Sequence, residues 1–410
     1  MKKRQVVVTG LGVVSSVGLG WQAFWEGLLA GRSGIREIQY LDTSEYPTHV
    51  GGEVRDFDPL AFMPADVARR LGRGAQFSIA ATRMALEDAG LLNRMPGLTA
   101  VVCLGTTMAD IQALERINEQ WVQGDEWRVR PSLVMQYPSC SMSATVADHF
   151  QLSGPNVMIP TACAAGNHAI TYAVDLIRVG KADVMIAGGA DPFSRIAFTG
   201  FNRIFAVAPD RCQPFDKNRK GTLIGEGAGI VVLEPFDAVK RRGGTAYAEV
   251  LGYGLTCDGT HMTIPSVDGA TRVMQRAIQD AGIEPEEVDY ISAHGTGTPA
   301  NDRTECAAIH AVFGSRAYRL PVSSIKSMLG HTMGAASALE AIACVLAIRF
   351  GRIPPTTNYQ VPDLECQVDC VPNMSRSQHV NIALNNSFAF GGNNASVVFK
   401  GVANGASGDA

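Results

Sequence analysis

Along the 410 residues, short runs rich in β-branched, aliphatic and small residues alternate with stretches whose apolar positions recur every three to four residues. The runs RQVVVTGLG, LTAVVCLG, NVMIPTA, ADVMIAGGAD and GAGIVVLEP, and later AYAEVLGYG, VDYISAHGTG, LPVSSIK, HVNIALNNSF and NASVVFKG, predict strands. The stretches GAQFSIAATRMALEDAG, GNHAITYAVDLIRVGKA, GATRVMQRAIQDAG, DRTECAAIHAVFG and GAASALEAIACVLAIRFG predict helices, each closing at or near a glycine or small residue. Strands alternating with helices predict an α/β fold whose sheets are buried on both faces. The pattern divides near residues 234–250 into two halves, 1–245 and 246–410, with no short-period repeat. Each half carries a buried strand that delivers a reactive residue to a helix start, Cys163 in one and His294 in the other. The small, polar tail GVANGASGDA predicts a frayed end.

Composition narrows the function classes. Hydrophobic residues make up 46% and charged residues 18%, and the expectation is a soluble protein without an apolar run long enough to cross a bilayer. The start MKKRQVVVTGLGVVSSVG is interrupted by Gly10, Gly12 and Ser15 and reads as strand and turn rather than signal peptide, which places the protein in the cytoplasm. A net charge of -4 and no basic stripe argue against nucleic acid as a partner. Nine scattered cysteines without a C-x-x-C pair read as reduced thiols. Cys366 and Cys370 stand four apart beside acidic residues, but no nearby histidine completes a zinc pattern, so no metal is expected. The segment VTGLGVVSSVG lacks the third glycine of a dinucleotide fingerprint, and GTLIGEGAG lacks the Gly-Lys-Ser/Thr of a phosphate loop.

Four segments carry candidate chemistry. In MIPTACAAGNHAI a strand passes into a helix at Cys163, where unpaired backbone N–H groups and the helix dipole favour a thiolate and a backbone N–H can meet an oxyanion. A buried structural cysteine remains the alternative. His294 ends the strand of VDYISAHGTGTPANDRTE beside small residues, facing either a cavity or the core. In SSIKSMLGHTMGAA, Lys326 and His331 flank a turn, the lysine either orienting a charged group or standing solvated at the surface. In NNSFAFGGNN, Phe390 precedes Gly391 and Gly392, giving a mobile aromatic hinge over a pocket or a tight hairpin.

With TACAAG, PFDKNRKGTLIGEGAG, DGTHMTIP, AHGTGTP, SIKSMLGHTMGAA and NSFAFGG in this order, the whole chain resembles the elongating β-ketoacyl-acyl carrier protein synthases, the KAS I and KAS II group of the thiolase superfamily. The resemblance implies a five-layered α-β-α-β-α fold of two related halves, and a dimer. It implies Cys163 as the acyl-accepting nucleophile, and His294 and His331 as donors to the enolate formed when malonyl carrier protein loses carbon dioxide. It also implies Lys326 fixing the local field, Glu305 organising the histidine loop, and the N–H groups of Cys163 and Phe390 as the oxyanion hole, with Gly391 and Gly392 in the gate. Met108, Leu133 and Met135 fall near the family's acyl pocket, and Arg69, Arg70 and Arg73 where the family meets acyl carrier protein. No cofactor is implied, since substrates ride on the carrier's phosphopantetheine arm. The partner subunit is a second copy or a ketosynthase-like chain.

Two histidines point to elongation rather than initiation, and an intact Cys163 opposes the alternative of a length-setting subunit without catalysis. A thiolase would need a second cysteine in NSFAFGGNN, and a cysteine hydrolase would leave His331 unexplained. Departures from the family pattern include Ala389 before Phe390, Ala164 and Ala165 after the cysteine, and a short FAVAPDRCQPFD loop. They lean toward specialised pathways such as type II polyketide or polyene assembly.

Overall fold

The computed structural model describes residues 4–95, 98–124 and 128–402. The tail from residue 403, expected to fray, lies outside the described residues. Ten strands follow one path, in the order Val322–Ser323, Tyr290–Ser292, Ile382–Phe388, Asn393–Gly401, Ala248–Cys257, Val6–Ser15, Gly227–Pro235, Val184–Asp191, Ala100–Gly105, Asn156–Ile159. The path is joined at its middle only where Val7 and Val8 pair with Glu249 and Ala248. On either side of that join the same arrangement occurs. The first strand pairs antiparallel with the fifth and the fifth antiparallel with the fourth, and the fourth, second and third run parallel.

Helices Ala165–Arg178 and Ala336–Phe350 pack between the two five-stranded sheets. Arg73–Asp88 covers the outer face of the first sheet, and Val267–Ala281, with Pro299–Phe313 beside it, covers the second. The result is the five-layered α-β-α-β-α stack. Residues 333–350 are in fact long and apolar enough to cross a bilayer, contrary to the expectation from sequence, but 83% of that window is buried inside the molecule. A helix between two sheets must be apolar on every side, and composition alone does not separate it from a membrane span.

The duplication also corrects the assumed symmetry of the reactive residues. In the first half the third strand, Asn156–Ile159, leads through a tight turn at Ala162–Ala164 into the central helix. In the second half the third strand, Val322–Ser323, leads through residues 324–332 to the turn Met333–Ala335 and the other central helix. Ala162 (φ 51°) and Met333 (φ 54°), each in the left-handed region, open the two turns. The counterpart of the Cys163 junction is therefore the segment carrying His331; His294 follows the second strand instead.

Gly10 and Gly12, which mimic part of a nucleotide fingerprint, serve packing. A Cβ at Gly10 would lie 2.1 Å from the Ala85 carbonyl oxygen, and one at Gly12 would lie 1.8 Å from that of Ala81, so helix Arg73–Asp88 rests directly on strand Val6–Ser15. Gly12→Ala should therefore lower the unfolding free energy by roughly 3 kcal/mol in urea titration, an overpacking cost. An unchanged midpoint would show that the helix can back away freely.

Candidate active site

Cys163, His294 and His331 arrive from three different loops and line one cavity of about 300 Å³. Cys163 sits in the turn just before Ala165–Arg178, and its carbonyl accepts the Ser387 hydroxyl at 3.0 Å. His331 Nε2 lies 3.0 Å from Cys163 Sγ. The His294 and His331 rings are 5.6 Å apart and nearly perpendicular, at 83°. All three residues are buried, so the cavity is the route by which a reactant meets them.

The two histidines are held in one tautomer. His331 Nδ1 accepts the Met333 N–H at 3.2 Å, and His294 Nδ1 faces the Lys326 ammonium at 3.5 Å. Each ring nitrogen occupied in this way is an acceptor, so the proton resides on Nε2 and each ring is a hydrogen-bond donor there. Burial, and then the Lys326 charge, push both histidines well below their ordinary value, so both stay neutral donors. Cys163 Sγ and one nitrogen of each histidine lie within 4.8 Å of one another, a donor set with the spacing of a metal site. The surrounding bonds do not fit that use, because a ligating imidazole gives its second N–H to an acceptor, whereas here both Nδ1 atoms face donors.

Lys326 is 1% exposed, which removes the reading of a solvated surface lysine. Its ammonium donates to the His294 carbonyl at 2.7 Å and to Glu340, which sequence reasoning missed. The signal available was an acid inside a helix that is apolar on all sides, a position expensive to fill unless the charge is paired. Glu305 receives the N–H groups of His294 (2.9 Å) and Gly295 (2.8 Å), so it shapes the loop without touching the imidazole ring. Burial raises the carboxyls of Glu305 and Glu340 to about 7. Asp302, also missed, performs a similar service one turn away, accepting the N–H groups of Phe215 and Gly297.

Phe390 is the tip of a tight turn joining the antiparallel strands Ile382–Phe388 and Asn393–Gly401, so the hairpin reading describes its backbone. Its ring stacks on Phe201 at 5.4 Å, and Gly391, at φ 83°, makes the turn. Ala389 has φ −115° and ψ 151°, a conformation open to any residue, so the departure from glycine carries no strain here. Two hydrogen bonds clasp the turn to the neighbouring loop, Gly391 N–H to the Met262 carbonyl at 2.8 Å and Asp258 N–H to the Gly392 carbonyl at 3.0 Å.

Several expectations need correction. Burial pushes the Cys163 thiol up to about 11, while the Lys326 charge and the N–H groups of Phe390 and Cys163 pull it down. A helix start alone therefore does not make a thiolate of a group so deeply enclosed. Met108, Leu133 and Met135 are not among the residues lining the Cys163 cavity. Leu133 is buried in a small cluster with Ala113 and Ile117, Met135 is 74% exposed, and Met108 packs in a cluster shared with Phe201 and Met333. Arg73 is not a solvated surface arginine, because its guanidinium binds Glu226 at 2.7 and 2.8 Å and the Val54 carbonyl at 2.6 Å. Arg69 is exposed, and Arg70 is exposed and pairs with Asp66 at 3.2 Å.

Residues 3–238 match the family model for the β-ketoacyl synthase N-terminal domain, and residues 247–360 match that for its C-terminal domain. The chain is 40% identical to 3-oxoacyl-[acyl-carrier-protein] synthase 2 of Synechocystis sp. (98% of this chain, 99% of the relative). It is also 40% identical to the synthase of the same name from Coxiella burnetii, over 98% of this chain and all of the relative. Among solved structures, the ishigamide ketosynthase/chain length factor superposes with a TM-score of 0.94 at 44% identity, over 98% of this chain and 100% of that one. A type II polyketide ketosynthase solved in complex with its acyl-carrier protein (AntDE:AntF) gives 0.91 at 32% identity, covering 98% of this chain and 100% of that one.

A thiol raised to about 11 beside neutral histidines fixes a pH dependence. Because the thiolate is the nucleophile and the thiol pKa lies above the assay range, its population grows with pH throughout that range. Alkylation of Cys163 by iodoacetamide should rise about tenfold per pH unit from roughly pH 7 to 9, with no step near the ordinary histidine value of about 6.5. A plateau above pH 7 would mean that the thiol is already ionised in the resting site.

Proposed function

Since the chain belongs to the β-ketoacyl synthase family, we propose that it catalyses the decarboxylating condensation of an acyl group held on Cys163 with malonyl-acyl carrier protein, yielding 3-oxoacyl-acyl carrier protein. The observation that carries this reading is the approach of His331 Nε2 to within 3.0 Å of Cys163 Sγ in a cavity that His294 also lines.

Cys163 attacks the carbonyl carbon of an incoming acyl thioester, and the oxyanion forms where the N–H groups of Cys163 and Phe390 converge on the sulfur. The tetrahedral species collapses to acyl-Cys163, and the departing carrier thiol takes up the proton that Cys163 gave. Malonyl thioester then enters with its carbonyl oxygen facing the Nε2–H groups of His294 and His331. Breaking its carbon–carboxylate bond releases carbon dioxide and leaves electron density on that oxygen, which two neutral donors stabilise. The enolate carbon attacks the acyl-Cys163 carbonyl, the carbon–sulfur bond breaks, and the thiolate is regenerated. Lys326, Glu340 and Glu305 act as positioning residues in this scheme, because they hold the His294 loop and its tautomer.

Acyl carrier protein is the proposed donor and acceptor of the acyl groups, with Arg69 and Arg70 among the residues that meet it. The sheet ends at Asn156–Ile159, a strand paired on one side only, whose residues are partly or fully exposed. We assign this edge to pairing with a second ketosynthase-like subunit, either another copy or a homologous chain. The pathway assigned is type II polyketide or fatty acid elongation by a soluble enzyme of the cytoplasm.

Incubation with acyl carrier protein should add one acyl mass to the wild type and none to Cys163→Ala, followed by intact-protein mass spectrometry. Later addition of malonyl carrier protein should yield a two-carbon extension. His294→Ala should still load the acyl group but lose about 10²- to 10³-fold in condensation, the usual cost of removing one oxyanion donor. Absence of loading at Cys163 from every carrier tried would remove the catalytic assignment.

A further inference from the structure

The duplication places Gly334 where the first half has Cys163, since each follows the left-handed residue that opens its turn, Met333 (φ 54°) and Ala162 (φ 51°). The two turns are held differently. The Cys163 N–H is directed at the sulfur, where an oxyanion forms, and the Cys163 carbonyl takes the Ser387 hydroxyl. The Gly334 N–H donates instead to Asp191 Oδ2 at 2.6 Å. Ser387 and Asp191 both lie on the fourth strand of their own half, so each fourth strand braces the turn of the other half.

Asp191 is 2% exposed and is not among the residues lining the Cys163 cavity. Its carboxylate receives three further donors, all from the loop that follows strand Ala100–Gly105. The Thr107 N–H reaches Oδ2 at 2.7 Å, and the Thr106 hydroxyl (2.6 Å) and the Met108 N–H (3.1 Å) reach Oδ1. Oδ2 thus joins this loop to the Met333–Gly334 peptide. The contact is tight, since a Cβ at Gly334 would lie 2.5 Å from the Thr106 carbonyl carbon.

The other end of that peptide unit fixes His331. The Met333 N–H holds His331 Nδ1 as an acceptor at 3.2 Å, and a bulky residue with φ 54° keeps that conformation only where its surroundings impose it. The His331 backbone is anchored separately, its N–H donating to the Leu223 carbonyl at 2.6 Å and its carbonyl accepting the Gly225 N–H at 2.9 Å. Releasing Gly334 would therefore leave the ring in place and free its Nδ1. With the proton moved to Nδ1, Nε2, 3.0 Å from Cys163 Sγ, turns from a donor into a base.

We propose that Asp191 is a positioning residue for the condensation, keeping His331 a donor by fixing the Met333–Gly334 peptide. The inference rests on the condensing function proposed above, in which His331 donates to the enolate oxygen. Without Asp191 the thiol proton passes to Nε2, which leaves a thiolate and speeds its reaction with an electrophile. Once Cys163 is acylated no such proton is available, and Nε2 turns a lone pair toward the enolate. Losing the carboxylate thus moves two rates in opposite directions, which general damage to the fold does not do.

The test compares wild type with Asp191→Ala, Asp191→Ser, Asp191→Asn and Thr106→Val at roughly pH 8, where a free thiol is still mostly protonated. Two rates are read, alkylation of Cys163 by iodoacetamide and condensation of preloaded acyl-Cys163 with malonyl carrier protein. In Asp191→Ala, alkylation should rise at least about tenfold, while kcat for condensation falls about 10²-fold with little change in KM. Asp191→Ser leaves room for a water to meet the freed donors and should show the same pair of changes where the alanine variant does not fold. Asp191→Asn keeps one oxygen for Gly334 and Thr107, and should recover most of both changes. Thr106→Val removes a donor from the other carboxylate oxygen and should leave both rates near those of wild type. A parallel fall in both rates, or no change in either, would overturn the inference, as would a Thr106→Val variant that matched Asp191→Ala. A wild type that never condenses would refute the proposed function itself, and the alkylation rates, which need no carrier, would then decide alone whether Asp191 keeps His331 a donor.

Discussion

The close approach of the two central helices governs the rest of the molecule. At Gly166 a Cβ would stand 2.8 Å from the Ala338 side chain, so only glycine lets Ala165–Arg178 lie this near Ala336–Phe350. The contact is locked by hydrogen bonds, the Asn167 N–H donating to the Ser337 hydroxyl at 3.0 Å and the Asn385 amide donating to both Asn167 (3.0 Å) and the Ser337 carbonyl (2.8 Å). Because each helix begins at a strained turn that carries or adjoins a reactive residue, bringing the helices together brings Cys163 and His331 together. Backbone positions as rigid as these set the sulfur–imidazole distance more firmly than a pair of long side chains would.

Around that frame the electrostatics depend on one buried cation. Lys326 binds a backbone carbonyl, faces an imidazole nitrogen and pairs with Glu340, all out of contact with water. Desolvating two charges is costly, and such a pair is poor evidence for stability. Its value here is directional. The ammonium keeps the His294 proton on Nε2, helps keep both histidines neutral, and draws the thiol down against its burial. A group of residues with the spacing of a metal site is thereby made into a set of hydrogen-bond donors around a thiol.

The strands were legible because buried parallel strands are apolar almost throughout, and the helices because their periodicity differs from that of strands. Cys163, His294, Lys326, His331, Glu305 and Phe390 were legible through segments whose small residues and turn signals mark sharp changes of direction, and the structure brings all six to one place. Glu340 escaped because its helix reads as core, where periodicity conveys nothing about one polar position. Arg73 was misread because an arginine on a helix near other arginines looks solvated until its partner, 153 residues away, is seen. Leu133 and Met135, two residues apart on one short helix, face the core and the solvent respectively, and no local rule connects either to the cavity.

By itself, then, the sequence determined the α/β alternation, the division near residue 240, and which side chains have the chemistry for acyl transfer. These follow from local rules, since polarity, periodicity and turn residues act over a few positions. The tertiary structure alone decided that the thiol is held near 11 rather than ionised, that both imidazoles donate from Nε2, and that Glu340 rather than Glu305 neutralises Lys326. It also decided that Phe205 stands in water at the mouth of the cavity. Burial, tautomer and exposure arise from what the rest of the chain places within a few ångströms of a group, and no stretch of neighbouring residues contains that information.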